Sequence, residues 1–297
     1  MKLLRLFVVV LLGICGPVSL HAQYTNLFSE LIPGARAMGL QGAYTAVAND
    51  YSSTFYNPAG IVNLHHVNFG FMHTQLPLNR TMDMMAVINP LSLRQAIGVS
   101  FGAFTVRDIE ARQENSLTPD YTFDTYNRMV WLSYAYRITR FFSFGANVKF
   151  LFGKLDKHSS NGTGFDVGAK IALHERVSLG FMAQDIGTSQ KWNTSTVEKF
   201  DTIYHLGLAV KPEEYLLLTS TIRQVGDEYL WSFGSELVLM QIIKVRSGLQ
   251  DKNLSYGAGI TLQMSSHLFV IVNYAHSSDP LIDGEPIQTF DFNVQLF

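Results

Sequence analysis

The sequence predicts an all-β fold: a transmembrane antiparallel β-barrel of about fourteen strands with an N-terminal hatch or plug segment. Three observations predict it. Apolar residues recur with period two over most of the chain. A segment with the order of an export signal comes first. No later stretch offers the roughly 18 or more uninterrupted apolar residues of a membrane helix. A membrane chain without such a stretch must close its sheet, because only helices and closed sheets satisfy every backbone polar group in lipid.

Composition agrees. Only 15% of the 297 residues are charged, against about 25% in an average soluble domain. Phenylalanine (21), tyrosine (13) and glycine (23) are abundant, as an apolar wall around a close-packed lumen requires. The formal net charge is -2 and no basic tract occurs, which excludes a nucleic-acid partner.

Residues 1–22 read as a signal peptide. Lys2 and Arg5 precede an apolar run from Leu6 to Ile14, and Ser19-Leu20-His21-Ala22 ends on a small residue, so cleavage is expected after Ala22. The one cysteine, Cys15, lies in this segment, and Ile14 before it is too large for a lipoprotein processing site. A mature chain without cysteine excludes disulfides, thiol catalysis and cysteine-ligated metal.

Residues 23–64 lack sustained alternation and are rich in small residues, as a segment packed inside or beneath a barrel would be. Residues 65–297 carry the barrel pattern. Strands are predicted near 66–73, 81–90, 94–106, 124–138, 141–155, 163–174, 176–186, 201–211, 214–224, 228–240, 242–250, 253–264, 267–276 and 287–297. In the fifth, Phe142, Phe144, Ala146, Val148, Phe150 and Phe152 share one face, and Ser143, Gly145, Asn147, Lys149 and Gly153 the other. A soluble sandwich would point the first face to a core, whereas a membrane barrel points it to lipid and lines its lumen with the second.

Connection lengths are predicted to alternate. Pro90–Leu93, Ile138–Arg140, His174–Arg176, Lys211–Glu214 and Ser265-Ser266 are short, while 107–123, 156–162, 187–200 and 277–286 are long. Short periplasmic turns opposite long external loops are expected of outer-membrane barrels. Tyr134, Tyr136, Phe141, Tyr215, Tyr229, Trp231 and Tyr274 fall near strand ends, which fits interfacial girdles and equally the general enrichment of aromatics in strands. Phe297 supplies a terminal aromatic, but the apolar phase runs through Phe292, Val294 and Leu296.

No catalytic, cofactor-binding or metal-binding residue is assigned. His65-His66 has no carboxylate or cysteine at ligand spacing. Gly162-Thr163-Gly164 lacks the Lys-Ser/Thr of a phosphate loop. Met82, Met84 and Met85 suit contact with a flexible hydrophobic ligand, or simple wall packing.

The stretch from Gly34 to Gly60 carries Gly34, Arg36, Gly39, Gly42 and Asp50, followed by Asn57-Pro58-Ala59-Gly60. It resembles the N-terminal signature of the PorV/PorQ (UPF0164-like) family, within the superfamily of FadL-type long-chain fatty-acid transporters. The resemblance implies a fourteen-stranded outer-membrane barrel plugged by a hatch bearing the Asn-Pro-Ala element. Physically, Asn57 should be extended because it precedes Pro58, and Arg36 and Asp50 are placed to bond lumenal side chains. The resemblance further implies a non-enzymatic part in type IX secretion, with secretion-machinery proteins or secreted cargo as partners and loop 107–123, holding Tyr121 and Phe123, as a docking site. The alternative it implies is FadL-like uptake of a small hydrophobic compound, with a fatty-acid-like ligand and outer-membrane lipid as partners. A structural barrel without substrate is the third reading.

Overall fold

The computed structural model describes residues 27–112, 117–279, 282 and 285–296. The expected signal peptide, Cys15 and the phase of Phe297 lie outside them. Fifteen strands are present among the described residues. The first eight are β1 (Val67–Leu76), β2 (Arg80–Ser92), β3 (Gln95–Ala111), β4 (Tyr121–Arg137), β5 (Phe142–Leu155), β6 (His158–His174), β7 (Val177–Trp192) and β8 (Val197–Lys199). The rest are β9 (Ile203–Glu213), β10 (Leu216–Val225), β11 (Glu228–Leu239), β12 (Ile243–Gln250), β13 (Asn253–Ser265), β14 (Leu268–Ser278) and β15 (Pro286–Leu296).

All but the three-residue β8 form one closed antiparallel ring of fourteen. Each strand pairs with its chain neighbour, except that β7 pairs with β9 across the small β8 hairpin. The first and last strands close the ring with an unbroken register from Val67 opposite Leu296 to Gln75 opposite Gln288. Every strand of the ring corresponds to one of the fourteen expected from sequence. The start of β1 and the end of β15 share one end of the barrel, called here the terminal end. No helix among the described residues is long and apolar enough to cross a membrane, so a crossing falls to the strands.

The wall is inside out relative to a soluble protein. In β5 the apolar Phe144, Val148, Phe150 and Phe152 are exposed, whereas Ser143, Asn147 and Lys149 are buried, Lys149 at 0%. The same holds around the ring: Phe69, Met85, Val99, Leu132, Phe165, Phe181, Leu206, Leu249, Val272 and Phe292 all point outward and are exposed. A contiguous apolar band of this kind far exceeds the patches that soluble monomers carry and fits a lipid environment.

The structure corrects the connections. β3 runs on to Ala111 and β4 begins at Tyr121, so both ends of the expected 107–123 loop are strand and the connection narrows to 112–120. The expected 156–162 loop shrinks to a turn at Asp156-Lys157, and within 187–200 β7 continues to Trp192 before the β8 hairpin. β14 likewise extends to Ser278. These polar tips lose the apolar alternation because they rise above the band, yet they keep pairing. The alternation of short and long connections is therefore weaker than the sequence suggested.

The lumen is filled by residues 27–64. They fold into three short helices, α1 (Leu27–Glu30), α2 (Ala35–Gly39) and α3 (Ser53–Tyr56), and a 3-10 turn η1 (Pro58–Asn63). Ala35, Leu40, Tyr44, Ala48, Tyr51, Ala59 and Ile61 are essentially inaccessible to solvent. Small inward residues make this fit possible. Tyr51 lies flat on Gly70 of β1, and the Pro58–Ala59 backbone lies on Gly145 of β5, where any added Cβ would overlap it.

Candidate functional site: the plugged lumen

The inserted segment is fastened at three places. The first is the Asn-Pro-Ala element. Asn57 is extended (φ -168°, ψ 99°), as the following proline demands. Its Oδ1 accepts from the Ala59 amide at 3.1 Å and so caps η1. Its Nδ2 donates to the Thr45 carbonyl within the segment and to the Ala169 carbonyl of β6, each at 3.0 Å. Ser143 Oγ of β5 donates to the Ala59 carbonyl at 3.0 Å. Asn57 thus ties one turn of the segment to another and both to the wall.

The second fastening is a charged network. Arg36 meets Glu236 of β11 in a two-pronged pair, Nε to Oε2 at 2.9 Å and Nη2 to Oε1 at 3.0 Å. Its Nη1 donates to Tyr44 Oη at 3.0 Å and Asn49 Oδ1 at 2.6 Å. Arg246 Nε donates to Glu236 at 2.7 Å, Arg246 Nη1 to Asn273 at 2.9 Å, and Asn273 Nδ2 to Asp291 at 2.7 Å. Asp291 in turn accepts from the Ala35 amide and Tyr51 Oη of the segment. Burial works against the Arg36 charge, but Glu236, Tyr44 and Asp50 overcome it and hold its pKa above the usual range. Burial, together with Asp291, raises the Tyr51 pKa, so this hydroxyl stays protonated and donates. Asp50 was expected to bond the wall. It bonds inside the segment instead, accepting from Tyr44 Oη at 2.5 Å and Ser52 Oγ at 2.6 Å.

The glycines of the motif serve the path of the segment. Gly34 and Gly42 hold positive φ (97° and 74°), which L side chains rarely adopt. Gly39 meets Gly257 of β13 backbone to backbone, and Gly60 lies against the Ala48 carbonyl. All nine motif residues therefore sit in the lumen, but only Arg36 and Asn57 reach wall partners through their side chains.

The third fastening was not visible from the motif. Lys149 of β5 sits between Asp166 of β6 (2.6 Å) and Asp185 of β7 (2.5 Å), with all three side chains essentially inaccessible. Asp185 reaches the lumen because β7 bulges there. Its φ is 63°, Gly187 follows at 60°, and the β6–β7 register slips between Thr163 and Val167. Ser29 Oγ of the segment donates to Asp185 at 2.8 Å, and Asn147 Nδ2 donates to the Thr54 carbonyl at 2.7 Å. The sequence signal for the bulge was the loss of alternation at Met182-Ala183-Gln184-Asp185, ending at Gly187.

Beside this cluster the lumen is apolar. Trp131, Met72, Met82, Met84, Met129 and Leu151 point inward from β1, β2, β4 and β5 and are buried. Met85 points outward. Phe28 of the inserted segment enters this nest edge-on to Trp131, with ring centroids 5.8 Å apart, and Phe55 meets Trp131 at 6.1 Å. Two cavities flank the segment. One of about 550 Å³ opens at the terminal end, and one of about 250 Å³ lies toward the other end among Phe55, Tyr56, His205 and Arg223.

The family described as Uncharacterised protein family (UPF0164) matches residues 21–162, which take in the inserted segment and β1 to the start of β6. No curated protein matches the sequence. Among solved structures, the toluene transporter TbuX of Ralstonia pickettii has a TM-score of 0.63 at 10% identity, covering 91% of this chain and 98% of its own. The toluene transporter TodX of P. putida has a TM-score of 0.63 at 11% identity, over 89% of this chain and 98% of its own. A FadL homologue of Pseudomonas aeruginosa has a TM-score of 0.60 at 12% identity, over 93% and 99%. At such identities the likeness is one of fold: this chain has the fold of the FadL-type outer-membrane barrels.

Proposed function

We propose that the barrel sits in the bacterial outer membrane and takes up a small hydrophobic compound into its lumen, without catalysis, and that residues 27–64 act as its hatch. The observation that carries the reading is Phe28. An aromatic side chain of the inserted segment occupies a nest of Trp131, Phe55, Met82, Met84 and Met129. Methionine and aromatic walls adapt to varied apolar shapes. A hydrophobic ligand entering the lumen takes the place of Phe28. Because Ser29 is bonded to Asp185, displacing Phe28 also frees the β7 bulge, where the wall's ladder is already interrupted. Binding and loosening of the wall are thus coupled through two adjacent residues.

The similarity in fold to transporters of toluene supports this reading. The secretion role implied by the PorV/PorQ resemblance draws no such support. The test is titration of the purified barrel with toluene and with medium-chain hydrocarbons, read by fluorescence in a variant retaining only Trp131 of its three tryptophans. Saturable change that is lost in Met84→Asp supports the proposal. No saturable change, with unaltered hydrocarbon uptake in a deletion strain, overturns it.

A further inference from the structure

The cavity at the terminal end has a different chemistry from the aromatic nest, and the uptake reading does not use it. We propose that it is a binding site for a small organic anion, with an oxyanion head group held by Lys170, Lys211 and Lys244 and an apolar body resting on aliphatic wall residues.

The phase of β6, β9 and β12 points all three lysines into the lumen from well-separated strands, and all three line the 550 Å³ cavity. A volume of this size is that of a small-molecule site. Six cationic side chains line it: these lysines with Arg36, Arg176 and Arg246. Four carboxylates face them, and two are already committed. Glu236 is taken by Arg36 and Arg246, and Asp50 by Tyr44 and Ser52. The other two, Glu175 and Glu214, stand on exposed turns at the rim. The cavity therefore carries excess positive charge in a chain whose formal net charge is -2.

Among the described residues, none of the three lysines forms an ion pair with a carboxylate. Among the described residues Lys170 Nζ donates to two backbone carbonyls, Val47 at 3.1 Å and Ala48 at 3.2 Å, and an ammonium has three donors. Lys211 stands near enough to repel it and Asp50 acts on it from farther off, while Lys244 stands near Arg36 and Arg246 as well as the already bonded Glu236. Three buried polar atoms of the lining, Arg246 Nη2, Thr261 Oγ1 and Asn293 Oδ1, have no hydrogen-bond partner among the described residues. An anion among the three lysines relieves the repulsion and supplies the missing acceptor for Arg246. Val47, Val177, Leu217, Val238 and Ile271 provide the apolar surface for the rest of the molecule.

The test is calorimetric titration of the full chain in neutral detergent at low ionic strength, with benzoate, benzyl alcohol and inorganic phosphate as probes. Benzoate is expected to bind, and to bind more tightly than either of the others. Lys211→Gln and Lys244→Gln are each expected to weaken benzoate about tenfold, less at high salt. Lys170→Gln is expected to do the same, but it also touches the inserted segment, so the first two variants decide. Trp131→Phe, which perturbs the aromatic nest, is expected to leave benzoate affinity unchanged, so this proposal and the uptake reading fail separately. Equal affinity for benzyl alcohol, equal affinity for phosphate, or indifference to the Lys211 and Lys244 substitutions overturns the proposal.

Discussion

Truncating Arg36 should release the inserted segment while sparing the barrel. In the native lumen the guanidinium makes two bonds to Glu236 and one each to Tyr44 and Asn49, with Asp50 at 3.8 Å. Removing one partner of a buried ion pair costs ~3–5 kcal/mol when the other is left uncompensated. Here Glu236 keeps Arg246 at 2.7 Å, and Asp50 keeps Tyr44 and Ser52, so the lower end applies, about 3 kcal/mol. That corresponds to a shift of about 100-fold in the equilibrium between docked and released segment. Amide hydrogen exchange read by mass spectrometry on Arg36→Ala should show residues 35–60 exchanging faster by about that factor, with β1 to β15 unchanged. Glu236→Gln should have a smaller effect, and the double variant should be less than additive because the two residues share one interaction. Exchange in residues 35–60 that stays within roughly threefold of wild type would refute the reasoning. So would equal acceleration throughout the strands, which would mean that Arg36 supports the barrel and not the docking.

Three further outcomes follow from the same geometry. Asn57→Ala removes one acceptor and two donors, breaking the bonds to the Thr45 and Ala169 carbonyls and the cap on the Ala59 amide, which should loosen the segment by ~2–3 kcal/mol, read by the same exchange experiment. Gly145→Ala puts a methyl into the Pro58–Ala59 backbone and should cost about 2 kcal/mol and expose residues 57–60 to protease, whereas Gly187→Ala, at φ 60° with open space around it, should cost about 1 kcal/mol and leave the segment docked. Lys149→Met leaves Asp166 and Asp185 facing each other without a cation, and thermal unfolding in detergent should report a loss of ~3–5 kcal/mol that Asp185→Asn partly restores.

The fourteen strands were legible because lipid on one side and packed segment on the other impose period two on every wall residue. Their outer ends were not. At Ser159 and Asn161 polar residues occupy both faces, and the ladder continues without a pattern to betray it. The Asn57 clamp was half legible: its extended backbone follows from Pro58, and its capping of η1 from asparagine's chemistry, while its bond to Ala169 lies 112 residues away. Arg36 shows the same limit more sharply. A lone arginine in a small-residue segment announces a buried partner, but Glu236 is 200 residues distant and is chosen by the closure of the ring. The Asp185 bulge left a trace, the failure of alternation before Gly187, but only the register shows that it delivers a carboxylate to Lys149.

The inside-out wall around an inserted segment is tested most directly by a nitroxide scan of β5 from residue 144 to 152 in lipid bilayers. Even positions should be accessible to oxygen dissolved in the bilayer, because Phe144, Val148, Phe150 and Phe152 point outward. Leaving out Gly145 and Lys149, whose replacement itself disturbs the packing, odd positions should be immobile and closed both to oxygen and to a water-soluble nickel reagent, because Asn147 and Leu151 are buried against the contents of the lumen. Odd positions freely reached by the nickel reagent would mean an open lumen with no plug. Even positions closed to oxygen would mean that this wall does not face lipid at all.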